Sequence, residues 1–466
     1  MDVDIILLFA ILISITTWPV LKIVYRKDLN VFDLLVLIFS VQFIVAPLYA
    51  NFADLHLHNI LGFREIVNTH SLTFIYLCII DALFLLCSFV VPTKSILNLT
   101  RYIRKLDSKL LLNKSVIWLI LPCFIYVLVI LTSFEGLNVD NMEDNRNVLY
   151  YGGDGILKYI SPFSLYFSFV SMVWLVKILL SKGWRNFSKI ERITLIVGCV
   201  VFLVGARTNI ANVLSFIFIY LYSVKRFELK KKHLIFAASL LLLTVTILMP
   251  FTQMIRATKD FMISQGESSF SFFDVVNVVS SQKLSDSRSV DMVKDNTAER
   301  FATPYYYLDS SVYGDYKKFN GQYLLNVCVY AINPFYRPDE KWDNITANVL
   351  YGGGDIAESV PQTLYMDIGM WGSLLTPVFY IFIIVFVYCL MKLVNRILPA
   401  VGIEWYFVYF VLSYVLTVEK GVSVRFIWNF WLPQFVCYAI IINMLTKVLN
   451  VKIINKNHES YLYREK

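Results

Sequence analysis

Residues 371–391 read WGSLLTPVFYIFIIVFVYCLM, twenty-one positions without one Asp, Glu, Lys or Arg. At a rise of about 1.5 Å per residue, such a run crosses a hydrocarbon layer of about 30 Å as a single helix. The pattern repeats on both sides of it. Hydropathy marks eleven candidate spans, at about 4–22, 31–50, 71–91, 115–134, 159–180, 193–206, 208–224, 234–253, 371–391, 403–418 and 426–446. The expected fold is therefore an all-α polytopic membrane protein of about 11 transmembrane helices.

Composition agrees with that fold class. The 466 residues are 58% hydrophobic and 16% charged, with a mean hydropathy of +0.62, far from the soluble average. The net charge of +8 could suggest a nucleic-acid partner. The basic residues do not form one stripe, however. They fall between spans, which is the mark of membrane topology, so no nucleic acid is expected. Six of the seven cysteines lie in apolar runs and only Cys328 lies in a long loop, which leaves neither a disulfide framework nor a CxxC metal motif. The first apolar run lacks a basic leader and a small-residue cleavage site, and reads as a retained span.

Between Met254 and Leu364 about 110 polar and aromatic residues interrupt the succession of spans. This divides the chain into residues 1–253 with eight spans, a loop domain at 254–364, three spans within 365–446, and a tail at 447–466. The short-loop clusters at Lys22/Arg26/Lys27, Lys94–Lys114, Lys177–Arg192, Lys225–Lys232, Lys392/Arg396 and the tail hold 26 of the 42 basic residues. With eleven alternating spans all of them share one face. The positive-inside rule then puts the N-terminus outside, the C-terminus in the cytoplasm and the large loop on the outer face. Within that loop, Ser269–Ser281 and Gln322–Ile332 are long enough to be interfacial or packed helices.

Candidate chemistry gathers at the outer rim. The sequence has no Walker loop, HExxH, GxSxG or paired cytoplasmic acids, so nucleotide-driven transport and nucleotide-sugar transfer lose ground. Arg207, in Gly205-Ala206-Arg207-Thr208-Asn209, interrupts two apolar helices, where a guanidinium is costly unless it faces a cavity or a partner. Its planar fork suits phosphate oxygens, and snorkelling to the interface is the structural alternative. Arg256 leaves the eighth span at the same face, Arg337 sits between Tyr336 and Pro338, and Arg425 follows Glu419-Lys420-Gly421. Glu358 precedes the ninth span, where apolar surroundings can raise a carboxyl and fit it to act as a base on a hydroxyl. A solvated loop carboxylate or a partner for an arginine is the other role open to it. His56, His58 and His70 share an outer loop without an evident third ligand, so no metal is expected. Twelve aromatics between Tyr305 and Tyr351 suit sugar faces and the bilayer headgroup level alike.

Four stretches resemble a known family. Val204-Gly205-Ala206-Arg207-Thr208-Asn209-Ile210 resembles the glycine–small–arginine turn of the Wzy-type O-antigen and enterobacterial common antigen polymerases. Phe319-Asn320-Gly321 through Asn333-Pro334-Phe335-Tyr336-Arg337-Pro338 is similar to that family's loop helix ending in a proline-flanked arginine. Tyr365-Met366-Asp367-Ile368-Gly369-Met370-Trp371-Gly372 looks like its entry to the following span, with Asp367 where asparagine is common and Ile368 where phenylalanine is. Glu419-Lys420-Gly421 resembles a charged short outer loop near the C-terminus, and the resemblance as a whole covers mainly residues 193–425.

The resemblance implies a membrane fold of the class C glycosyltransferase type. It also implies metal- and cofactor-independent polymerisation of undecaprenyl-pyrophosphate-linked repeat units, at the outer face of a bacterial cytoplasmic membrane. Arg207 and Arg256, with Glu358 as base, would be catalytic. Arg337, Lys420, Arg425, Tyr336 and Asp367 would bind substrate. The implied partners are the lipid-linked glycans, membrane lipids, a chain-length regulator and a flippase. O-antigen ligases share much of this plan, and a lipid-linked oligosaccharide flippase is the rival from a different class.

Overall fold

A computed structural model describes residues 3–45, 71–109, 216–224, 304–313, 319–336, 359–415 and 427–448, apart from positions 306 and 401, together with residues 189, 192 and 424. Among these residues all regular structure is helical. The principal helices are α1 (Val3–Val24), α2 (Val31–Ser40), α3 (Ser71–Val90), α4 (Leu99–Lys109), α5 (Gln322–Ile332), α6 (Val360–Ile368), α7 (Trp371–Ile397), α8 (Ile403–Phe410) and α9 (Leu432–Val448). Three of them are long and apolar enough to cross a membrane: α1 over Ile6–Val24, α3, and α7. By length and composition these three mark a membrane protein, helical over the described residues. The expected spans 115–134, 159–180, 193–206 and 234–253, and the expected helix Ser269–Ser281, lie outside the described residues.

Boundaries depart from hydropathy where polar residues are still good helix formers. The helix of the opening stretch runs on past 391 to Ile397, because Lys392 and Arg396 propagate it and a basic last turn complements the helix dipole. The second span is α-helical only to Ser40 and continues as a π turn over Val41–Val45. Two more π turns, Val411–Val415 and Ile427–Trp431, continue α8 and precede α9. Rings interlock there: Phe410 meets Trp431 at 4.9 Å and Tyr406 meets Phe435 at 4.8 Å, both edge to face.

The first three helices form one unit. Phe9 meets Phe74 at one end, while Lys22 reaches Ser88 at the other, so α1 and α3 run parallel. Lys22 also reaches Asp33 at the start of α2, which therefore runs antiparallel to both. Asn30 and Asp33 make a reciprocal capping box that starts α2. The fully buried Asp33 carboxylate takes Lys22 Nζ at 2.8 and 3.0 Å, the Ser88 hydroxyl at 2.6 Å and the Asn30 backbone N–H at 2.9 Å. Removing one partner of such a pair would strand a buried charge, at a cost of about 3–5 kcal/mol.

The two ends of the molecule differ in chemistry. At the Lys22 end, amphipathic α4 lies across the helix termini. Leu29 N–H donates to Thr100 Oγ1, Val31 N–H to the Leu97 carbonyl, and Arg104 pairs with Asp28. From the helix at 216–224, Tyr220 donates to Asp107 at 2.7 Å and Tyr222 donates to the Lys27 carbonyl at 2.6 Å. At the opposite end α3 meets segments from the long insertion. Thr73 donates to Asp309, and Tyr76 donates to the Pro361 carbonyl at 2.8 Å.

Candidate functional site

The site is built where α5, α6 and α7 meet, at the end opposite the basic one. Ser359 caps α6, accepting from Gln362 N–H, and Pro361 occupies the first turn, where its missing N–H is no loss. Every residue of α6 from Val360 to Asp367 is buried. The helix therefore belongs to the packed body, and it runs through position 364, where the long insertion was expected to give way to the last three spans. Tyr365 sets its ring edge to face against Tyr76, centroids 5.2 Å apart.

Gly369 ends α6 with φ 63° and ψ −139°, a conformation close to the region that glycine alone adopts readily. Three residues on, Gly372 brings α7 close against α6. A Cβ there would lie 2.7 Å from the backbone carbon and oxygen of Leu364 and 2.7 Å from the Tyr76 hydroxyl. The two glycines turn the chain sharply from α6 into α7 and let the elements touch through backbone.

Asp367 joins α5 to this junction. Its carboxylate accepts the N–H groups of Tyr323 and Leu324, each at 3.0 Å, in the first turn of α5. These are donors that a helix start leaves without an internal partner. Gly321 N–H donates to the Asp367 carbonyl and Phe319 N–H to that of Met366. Burial pushes the Asp367 carboxyl above the ordinary carboxylate value, and the backbone donors of Leu324, Tyr323 and Gly321 oppose that push without cancelling it.

Around the clamp lies an open cavity of about 380 Å³, lined by Asn320, Gly321, Asp367, Ile368, Gly369 and Trp371. Trp371 is 71% exposed. An exposed indole beside an amide side chain can stack on the apolar face of a sugar, and it equally suits the headgroup level of a bilayer.

Of the expected site residues, the structure describes Asp367 and Tyr336. Asp367 borders the cavity with both oxygens committed to α5. Tyr336 closes the turn after α5, donating to Asn326 Oδ1 at 3.4 Å and packing edge to face on Tyr330 at 5.3 Å. The two therefore belong to opposite ends of the same short helix. Arg207, Arg256, Arg337, Glu358, Lys420 and Arg425 lie outside the described residues. Tyr76 was not expected at this junction. Its signal was a hydroxyl in an apolar run where phenylalanine would pack as well, since a buried tyrosine usually has a partner for its O–H. Among the described residues no group of three or more His, Cys, Asp or Glu could hold a metal ion. No family model matches the chain, and no curated protein or solved structure matches it either.

Proposed function

We propose that the chain is a multi-pass glycosyltransferase of about eleven spans, with its N-terminus outside and its C-terminus in the cytoplasm of a bacterial cell. In this reading it polymerises undecaprenyl-pyrophosphate-linked repeat units into surface polysaccharide such as O-antigen. The growing glycan leaves its lipid pyrophosphate and joins a hydroxyl of an incoming lipid-linked unit. The C–O bond to pyrophosphate breaks as the new glycosidic C–O bond forms, and Glu358 takes the hydroxyl proton.

Charge develops on the departing pyrophosphate, so preorganised guanidinium groups stabilise the transition state. Arg207 and Arg256 have that role, assisted by Arg337 or Arg425, while Lys420 and Tyr336 hold substrate. The observation that best supports the reading is the clamp of Asp367 on α5. It fixes the helix whose far end carries Tyr336, next in sequence to Arg337, against the start of a membrane-spanning helix. A rigid mount of this kind is what positioning two large glycans requires.

The experiment is complementation of a strain lacking this gene. Arg207→Ala, expressed at the normal level, is expected to leave single repeat units on the surface lipid, and Arg207→Lys to restore chain length only in part. Long ladders from the alanine variant would remove the assigned role. Long polymer retained on its carrier lipid would identify a ligase. Single units held on the cytoplasmic leaflet would identify a flippase.

A further inference from the structure

Asp81 stands near the midpoint of α3, a helix long and apolar enough to cross a membrane. Asp81 is 2% exposed, and its Oδ1 has no hydrogen-bond partner among the described residues. Asp33, in the same three-helix unit, is surrounded by four donated hydrogen bonds. Two buried aspartates thus receive opposite treatment within one unit.

Register shows what lies at the depth of Asp81. Ser88, Lys22 and Asp33 meet in one knot. Asp81 is seven residues before Ser88 on α3, Thr16 is six before Lys22 on parallel α1, and Ser40 is seven beyond Asp33 on antiparallel α2. Each is about two turns, roughly 10 Å, from the knot, so all three share one layer. The Thr16 and Ser40 hydroxyls touch each other there, and each also donates within its own helix, to the Leu12 and Val36 carbonyls. Pro19, inside α1, lacks the N–H that would have taken the Ile15 carbonyl, and so frees an acceptor at the same level. The layer ends at Val41, where α2 gives way to a π turn, a feature that often accompanies functional positions.

The charged groups of the surrounding elements pair elsewhere, and the neighbouring thiol and phenols carry no positive charge. Cys78, one turn away on α3, donates to the Leu8 carbonyl. Lys22 of α1 and Asp33 of α2 are paired with each other two turns below. Asp309, from the stretch 307–313, takes the Thr73 hydroxyl near the far end of α3. Tyr76 donates to Pro361 at that same end, and Tyr380 of α7 meets α3 at Phe84. Among the described residues none offers Asp81 a compensating charge.

An ionised carboxylate without a donor is expensive in such a place, whereas a carboxylic acid brings its own donor to a layer supplied with oxygen acceptors. We propose that Asp81 is a proton-binding site in the membrane interior, exchanging its proton with water. The site stands apart from the polymerase reading, since it needs neither the outer-rim arginines nor a glycan.

The test uses the full-length protein in phosphatidylethanolamine–phosphatidylglycerol vesicles treated with a hydrophobic carbodiimide, a reagent for carboxylic acids held in apolar surroundings. Mass spectrometry is expected to find the adduct on Asp81 and not on Asp33, with the yield falling as the buffer pH is raised. Infrared spectra should show a carboxylic C=O band that shifts in D2O and is lost in Asp81→Asn. No adduct at Asp81, or equal adducts on both aspartates, overturns the proposal. So does a band indifferent to D2O and pH, which would make Asp81 a sealed structural acid. The comparison of two aspartates in the wild-type chain keeps the test decisive even if Asp81→Asn fails to fold.

Discussion

Asp367 caps a helix to which it does not belong, and that fact governs what its substitution does. Asparagine in its place keeps one acceptor for the two N–H groups of α5, so Asp367→Asn is expected to cost about 0.5–2 kcal/mol near neutral pH. Folding raises the Asp367 carboxyl above its unfolded value. The stability it contributes is therefore fully present below the unfolded value and fades as pH rises through the folded one. The wild-type advantage over Asp367→Asn should grow as pH is lowered from neutrality towards about 4. Thermal unfolding of both proteins in detergent at several pH values checks this, and an advantage that grows with rising pH would reverse the assignment. The sequence showed Asp367 beside an apolar span, in a stretch resembling a known entry to such a span. Which N–H groups it meets was not legible, because its partners are more than forty residues away in the chain.

Elements obey local chemistry until contact between them takes over. The run QYLLNVCVYAI at Gln322–Ile332 reads as a helix and is one. Helix α6 is harder to read, since nine residues are too few to display an apolar period and its burial comes wholly from neighbours. Ser359, Pro361 and Gly369 do bracket it with recognisable start and stop signals. The crossing of α6 and α7 rests on Gly372. Gly372→Ala is expected to destabilise the protein by about 1–3 kcal/mol, because the clash is with the Leu364 backbone and no rotamer change relieves it. Adding Tyr76→Phe should not rescue the variant, since it removes the hydroxyl and leaves the backbone contact. Retention of the folded, monodisperse fraction after heating measures both, and full rescue would place the strain on Tyr76 instead.

At the scale of the whole molecule, one end carries Lys22, Lys27, Arg104 and Lys392 and the other carries α5 and α6. The asymmetry of basic residues was readable from the sequence because it is a property of composition along the chain. Fusion reporters test the orientation it implies. A phosphatase that folds only outside the cytoplasm should be active when joined after residue 300 and inactive when joined after residue 466. The opposite pattern would invert the topology and move the candidate site to the wrong leaflet. Charges within spans are harder to read. Asp33 and Asp81 send the same kind of signal as Arg207, a polar group at membrane depth, yet neither was among the expected residues. Their difference in partners could be learned only from the packing of three helices. For Lys22 and Asp33 that packing begins early, since they are eleven residues apart and face each other across the first helical hairpin. The nascent chain can thus neutralise its first embedded acid with material already synthesised, and Ser88 has only to join an existing pair when α3 arrives.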